Sequence, residues 1–379
     1  MTTKHYLIKV IGYSSVPKII TVIFTIVSFP LMIRSLGTEI YGIFIYLLSI
    51  IAICESFIDF GISSASGRAI ARVRESKVNI IEYIKKWMVL QLKVSLIGLV
   101  PFILIVYFIS DDFLGNTNFT VLFIMTLTSW LTIFINFGRS SLTSLLNFKY
   151  LAFLDTFESI LRSLTWLYVA FFNSTLIGLT FALLITCFLT LFFCSILLII
   201  IFKAQTKSNN FVKLETSNKI MISESLEFLW LRFITRAFQS IPLIIFGKLW
   251  DVKVLGTIGA FKKVIDITNL PFSIVGNGIA VRAQSIVDKG LKHTNIIWDI
   301  AFRILSVGLF ITLTMYFGVD LMAYFLIPND IENTYILSVL VFLIFAYSIS
   351  SIIAPMSDYI GSLKKRNILM TAFVVIQPI

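Results

Sequence analysis

The chain has 379 residues, of which 58% are hydrophobic and 13% charged, against about 45–50% and 25% in an ordinary soluble domain. That composition excludes a soluble globular enzyme, and apolar runs of about 20 residues that recur almost to the last residue mark an all-α polytopic membrane protein. The formal net charge of +11 needs its own account, because a basic balance serves nucleic acid, anionic lipid or membrane topology equally well.

In chain order, membrane helices are predicted at about 10–33, 40–60, 88–109, 119–137, 151–172, 176–202, 225–247, 255–281, 297–317 and 334–358, with an eleventh beginning near 367. The first follows Lys4 and Lys9, a basic start like that of a signal peptide. It runs too far, holds Pro17, Lys18 and Pro30, and offers no small-x-small cleavage site, so it reads as a membrane helix. Connections are short, and none is long enough for a soluble domain. Cys54, Cys187 and Cys194 all lie in apolar runs, and His5 and His293 lie far apart in polar segments. No disulfide framework, metal site, cofactor site or catalytic constellation is expected from them; Cys187 and Cys194 share a helical face and read as packing residues.

Sorting the 31 Lys and Arg by segment sets the orientation. Alternate connections carry 20 of them, including Arg68, Arg72 and Arg74, Lys85 and Lys86, Arg139 and Lys149, and Lys364, Lys365 and Arg366, while the opposite connections hold only Arg34, Lys248 and Lys253. The positive-inside rule then puts the N-terminus and the basic loops in the cytoplasm. Most of the net charge is thereby explained by topology and contact with anionic lipids, without nucleic acid.

An offset of 214 carries Lys18 onto Arg232, Thr21 onto Thr235, Phe24 onto Phe238, Arg34 onto Lys248, Gly42 onto Gly256, Arg68 onto Arg282 and Ala69 onto Ala283. Helices 1 to 4 then fall on helices 7 to 10, which predicts two six-helix lobes, residues 1–215 and 216–379, related by a parallel repeat. Twelve helices are expected on that scheme. About 11 are present, and the chain stops about 50 residues short of two full repeats.

A charge at the bilayer centre costs about 2.5 kcal/mol or more, so intramembrane ionisable groups are where function is sought first. Lys93 and Arg303 lie near the cytoplasmic ends of helices 3 and 9 and can snorkel to the surface. The others fall on polar stripes. Helix 1 carries Ser14, Lys18, Thr21, Thr25 and Ser28 on one face; helix 8 carries Lys262, Asp266, Asn269, Ser273 and Asn277. Helix 7 adds Arg232, Arg236 and Gln239, helix 2 Glu55 and Asp59, helix 4 Ser129, Thr132 and Asn136, and helix 5 Asp155, Glu158 and Arg162. Helices 1, 2, 4, 5, 7 and 8 are therefore expected to enclose a wet cavity, with 3, 6 and 9 outside against lipid. Glu158 with Arg162, and Lys262 with Asp266, stand at the (i, i+4) spacing of an ion pair, and pairing and function both remain open for them. Arg232 and Arg236 have no acid one turn away on their own helix, an arrangement suited to an anion such as a phosphate.

Leu36-Gly37-Thr38-Glu39-Ile40-Tyr41-Gly42, and Asp59-Phe60-Gly61-Ile62 running through Ser63 to Gly67 into Arg68-Ala69-Ile70-Ala71-Arg72, resemble the corresponding segments of O-antigen (Wzx-type) polysaccharide flippases of the multidrug/oligosaccharidyl-lipid/polysaccharide exporter superfamily. The likeness is specific over residues 34–72 and covers the rest in organisation. Gly37 to Gly42 also has the glycine spacing of a phosphate loop, but Ile43 and Phe44 stand where Lys and Ser or Thr are required.

The resemblance implies two six-helix lobes around a cavity that opens alternately to either side of a bacterial inner membrane. It implies an undecaprenyl-pyrophosphate oligosaccharide as substrate and polysaccharide polymerase machinery as a partner. On that reading Lys18, Arg162, Arg232, Arg236 and Lys262 hold the pyrophosphate and glycan, while Glu55, Asp59 and Asp266 are candidates for coupling to H+ or Na+. Family members end with a complete twelfth helix, which this chain does not reach. A cation-coupled multidrug exporter of the same superfamily remains an alternative, although it calls for an acid-dominated lumen. So does a lipid II flippase, which typically carries fourteen helices. A polymerase or ligase usually carries a large outer loop with catalytic Arg or His, and the loop at Gly318 to Asn333 has neither.

Overall fold

A computed structural model describes residues 3–73, 79–114, 119–205, 218–268 and 294–326, together with 338, 341 and 342. Every described element is a helix: α1 (Thr3–Asp59), α2 (Ile62–Val73), α3 (Ile80–Leu114), α4 (Phe119–Ser144), α5 (Phe148–Phe172), α6 (Leu176–Gln205), α7 (Asn218–Leu249), α8 (252–268), α9 (Thr294–Phe317) and α10 (Val319–Leu326). Five of the described helices are long and apolar enough to cross a membrane. The predicted helices at 334–358 and near 367 lie outside the described residues apart from 338, 341 and 342, and so do Asn269, Ser273, Asn277 and the repeat matches Arg282 and Ala283.

The first two predicted crossings are consecutive limbs of α1, broken at Gly37, whose φ of 80° and ψ of 160° belong to a region that glycine alone enters at low cost. The second limb, residues 38–59, is about 33 Å long at 1.5 Å per residue, enough to cross a bilayer core. It ends in a tight turn at Phe60 (φ 51°) and Gly61 (φ 71°), and α2 follows directly. Sequence reading placed residues 61–87 in a connection, whereas the structure forms α2 from 12 of them. Ile62, Ala65, Ser66, Ala69 and Ile70, at i, i+3, i+4, i+7 and i+8, make its buried face. That face packs with Tyr83, Trp87, Leu142 and Leu154 in a core separate from the main one. Arg68 and Arg72 stay exposed.

Helices α3 and α4 also run past their predicted ends, to Leu114 and Ser144. Charged or polar residues there stopped the hydropathy count but not the backbone hydrogen bonding. The larger core joins α1 residues Phe29, Ile33, Tyr41 and Leu47 to α7 and α8 residues Leu243, Leu255, Ile258 and Phe261. Helix α6 sits on α4, with Gly138 leaving room for the Cys194 thiol, so this cysteine fills a helix contact. Its other face exposes Ile185, Phe188, Phe192, Ile196 and Ile199, an apolar stripe at helical spacing suited to lipid. Helix α3 exposes Val89, Leu96, Ile97, Val100 and Leu104 in the same way.

Candidate functional site: a basic cavity walled by α1, α4, α5 and α8

Where the first limb of α1 runs beside α5, small polar side chains let the two helices come close. Thr21 returns its hydroxyl hydrogen to the Pro17 carbonyl at 2.8 Å or shares it with Ser159 of α5 at 2.5 Å. Beside this seam opens a cavity of about 370 Å3, within the usual range for a site that takes a small polar group or a ligand head.

Four cations line it: Lys18 from α1, Arg139 from α4, Arg162 from α5 and Lys263 from α8. Among the described residues two acids line it, Asp155 and Glu158 of α5. Both acids are held by arginine. Arg139 donates from Nε to Asp155 at 3.0 Å and from another nitrogen to Glu158, and Arg162 donates to the second oxygen of Glu158. Asn136, one turn before Arg139, accepts a 3.5 Å bond from it and donates to Glu55 of α1 at 3.4 Å. The expected pairing of Glu158 with Arg162 is present, therefore, as one arm of a larger cluster.

Arg162 Nε is buried with no hydrogen-bond partner among the described residues, which leaves a donor available to a bound group. Lys263 rests its ammonium 5.7 Å from the Trp166 ring centre, a cation–π contact, and Trp166 in turn packs on Phe29 at 5.7 Å. Among the described lining residues, four cations against two carboxylates leave an excess of two positive charges.

Of the residues expected to hold substrate, Lys18 and Arg162 line this cavity, while Arg232, Arg236 and Lys262 are not among its lining residues. Arg232 has an acid after all, on another helix: it donates to Asp59 at 2.5 Å and to the Ser64 hydroxyl at 3.2 Å, and Asp59 is also bound by the Ser63 hydroxyl. Arg236 is exposed on α7. Lys262 donates to the Gln239 carbonyl at 3.1 Å, and Asp266 is exposed one turn beyond it. Among the proposed coupling acids, Asp59 is thus committed to an ion pair and Glu55 to Asn136.

Arg139 and Lys263 are cavity cations outside the substrate set that the sequence suggests. A predicted helix ending at 137 puts Arg139 in a basic connection, although Asn136 on the preceding turn already continues the polar stripe. Lys263 adjoins Lys262, and one residue turns a helix by about 100°, so the choice between them depended on a face that the stripe did not resolve.

A family model described as "Polysaccharide biosynthesis protein" matches residues 7–276. No curated protein matches the sequence. Several solved structures share the fold. An inward-facing multidrug resistance MATE family transporter of the MOP superfamily is 12% identical with a TM-score of 0.72, over 93% of this chain and 84% of that one. An outward-facing multidrug resistance MATE family transporter of that superfamily is 13% identical with a TM-score of 0.67, over 97% and 86%. A MATE protein in the bent conformation is 13% identical with a TM-score of 0.65, over 98% and 86%. At these identities the likeness is one of fold: an all-helical membrane protein of two lobes.

Proposed function

We propose that this chain, which belongs to the polysaccharide biosynthesis protein family, is a flippase that carries an undecaprenyl-pyrophosphate-linked oligosaccharide from the cytoplasmic to the periplasmic leaflet for O-antigen or capsular polysaccharide assembly. The observation that carries this reading is the two-charge cationic excess of the cavity. A pyrophosphate diester has about two negative charges at neutral pH, and it matches Lys18, Arg162 and Lys263 as charge-assisted donors. Trp166 and Tyr13 supply flat apolar walls for sugar rings, while the polyprenyl tail stays in lipid.

With the N-terminus cytoplasmic in a bacterial inner membrane, outward movement of two negative charges down an interior-negative potential of 100 mV is favourable by roughly 4–5 kcal/mol. H+ or Na+ coupling through Glu55, Asp59 or Asp266 belongs to the same proposal, as do lobes at 1–215 and 216–379 and delivery to polymerase machinery. The cavity favours an anion over the organic cations of a drug exporter, since Asp155 and Glu158 are already held by Arg139 and Arg162.

The test is complementation. The chain is expressed in a strain that lacks its flippase and accumulates lipid-linked repeat units on the cytoplasmic face. Restored surface polysaccharide supports the reading. Unrestored surface polysaccharide at normal protein level, across hosts with different repeat units, overturns it.

A further inference from the structure

Gly42 and Gly256, paired by the 214-residue offset, face each other across the two lobes. A Cβ on Gly42 would collide with the Val252 carbonyl oxygen and lie 3.0 Å from the Gly256 nitrogen; a Cβ on Gly256 would collide with the Thr38 carbonyl oxygen and lie 3.0 Å from the Gly42 nitrogen. Thr38 and Val252 are themselves offset by 214, so the contact is reciprocal, as a two-fold axis between the helices requires. One step further along, Gly259 lies against Ile45, its own mate by the same offset. The α1 limb after Gly37 and the start of α8 therefore touch backbone to backbone, an approach that small residues at four-residue spacing permit.

This contact sits away from the cavity. The cavity touches α1 at residues 13–25, and about 11 more residues, roughly 16 Å of helix, separate Thr25 from the turn at Gly37. The contact lies just past that turn, so it is on the side of the membrane opposite the N-terminus. Around it Leu36, Tyr41, Tyr46, Leu255 and Ile258 are buried, together with the small polar side chains of Thr38 and Thr257, so the two helices are closely packed there.

We infer that the reciprocal Gly42/Gly256 contact is the barrier that closes the cavity on the side opposite the N-terminus, and that α1 and α8 separate at it when cargo leaves. A passage that admits cargo from one side at a time needs such a barrier. Glycine on both helices gives a seal of backbone against backbone, without long side chains that would have to be withdrawn and resolvated at each cycle.

Ile45 and Gly259 provide the direct test, because an ideal Cβ at Gly259 stands 3.4 Å from the Ile45 Cβ, close to the roughly 3.5–4.5 Å of a disulfide. In a full-length form with Cys54, Cys187 and Cys194 replaced by Ala, Ile45→Cys/Gly259→Cys is expected to crosslink under mild oxidant. Surface polysaccharide production should then fall at least tenfold and recover with reductant. A complete crosslink with undiminished production, or none under oxidant, overturns the inference.

A second arm needs no cargo. Gly42→Ala, and by reciprocity Gly256→Ala, should each speed labelling of a Thr25→Cys reporter several-fold by a membrane-impermeant maleimide applied from the side opposite the N-terminus. Unchanged labelling in folded protein overturns the inference as well. Failure of the parent to restore polysaccharide counts against the proposed cargo alone, and leaves the crosslinking yield and the labelling rates to decide on the barrier.

Discussion

Arg232 in α7 donates to the carboxylate of Asp59 at the end of the second α1 limb, at 2.5 Å and 173 residues away in the chain. Asp59 is 1% exposed and the Arg232 side chain 30%. The carboxylate is therefore enclosed, while the guanidinium reaches toward the surface. Losing one partner of a buried pair generally costs about 3–5 kcal/mol because the other is stranded, and here the costs are unequal. Arg232→Ala, which strands Asp59, is expected to lower the unfolding midpoint in detergent more than Asp59→Asn. The double variant should recover much of the loss and much of the transport. If Arg232 instead held the cargo phosphate, the double variant would be as inactive as Arg232→Ala, which makes transport the deciding measurement.

That pair also shows where sequence reading stops. The apolar runs mark the five described helices that are long and apolar enough to cross a membrane, because hydropathy over about 20 residues is a local property, and the Glu158–Arg162 bond is legible because four residues bring side chains onto one helix face. Asp59 and Arg232 meet only after α1 and α7 are docked, and no spacing rule spans 173 residues. Without its acid in view, Arg232 read as an uncompensated cation and so as a phosphate ligand. Helix α2 escapes the hydropathy count for a different reason. With 12 residues it is too short and too polar on one face to register as a crossing, and only its i, i+3, i+4 pattern betrays it. The Gly42/Gly256 match was visible as a repeat, but not as a contact.

Arg139 joins Asp155 and Glu158 through different nitrogens of a rigid planar fork, whose spacing the single nitrogen of a lysine ammonium does not reproduce. Arg139→Lys is therefore expected to behave nearly as badly as Arg139→Ala. Each should lower the thermal midpoint by several degrees, release Asp155 to compete for Lys18, and leave Glu158 held by Arg162 alone. The measurement is thermal unfolding followed by fluorescence-detected size exclusion. Full stability in Arg139→Lys would show that the second bond contributes nothing.

Gly61 and Gly37 form a controlled comparison. Both have positive φ, +71° and +80°, but a Cβ at Gly37 meets nothing within 4 Å, whereas one at Gly61 would lie 2.5 Å from the Leu229 nitrogen and 2.8 Å from the Phe228 carbonyl carbon of α7. Gly37→Ala should cost only the backbone strain, about 1–3 kcal/mol. Gly61→Ala should cost more, because α7 must move away and Arg232 with it. Unfolding midpoints of the two variants, measured side by side, check the order. Equal losses would mean that the α2–α7 approach is loose in the membrane.

The cavity itself makes the sharpest demand on chemistry. A charge-assisted hydrogen bond is worth about 1.5–3 kcal/mol, so removing one anion ligand should weaken binding roughly 10- to 150-fold. Arg162→Ala is expected at the upper end, since it loses a guanidinium whose Nε is buried and unpartnered among the described residues and also leaves Glu158 nearer the anion. Arg162→Lys should recover little of this, because an ammonium cannot bond Glu158 and the anion in the same planar geometry. Lys263→Ala should fall lower in the range, since that ammonium already gains from the Trp166 face. Glu158→Gln should tighten anion binding at low salt by raising the net charge of the wall, with the gain shrinking as salt screens the site. Calorimetric titration of the purified full-length chain with inorganic pyrophosphate, at two salt concentrations, reads all four outcomes. Equal affinities for parent and Arg162→Ala would remove Arg162 from the anion site.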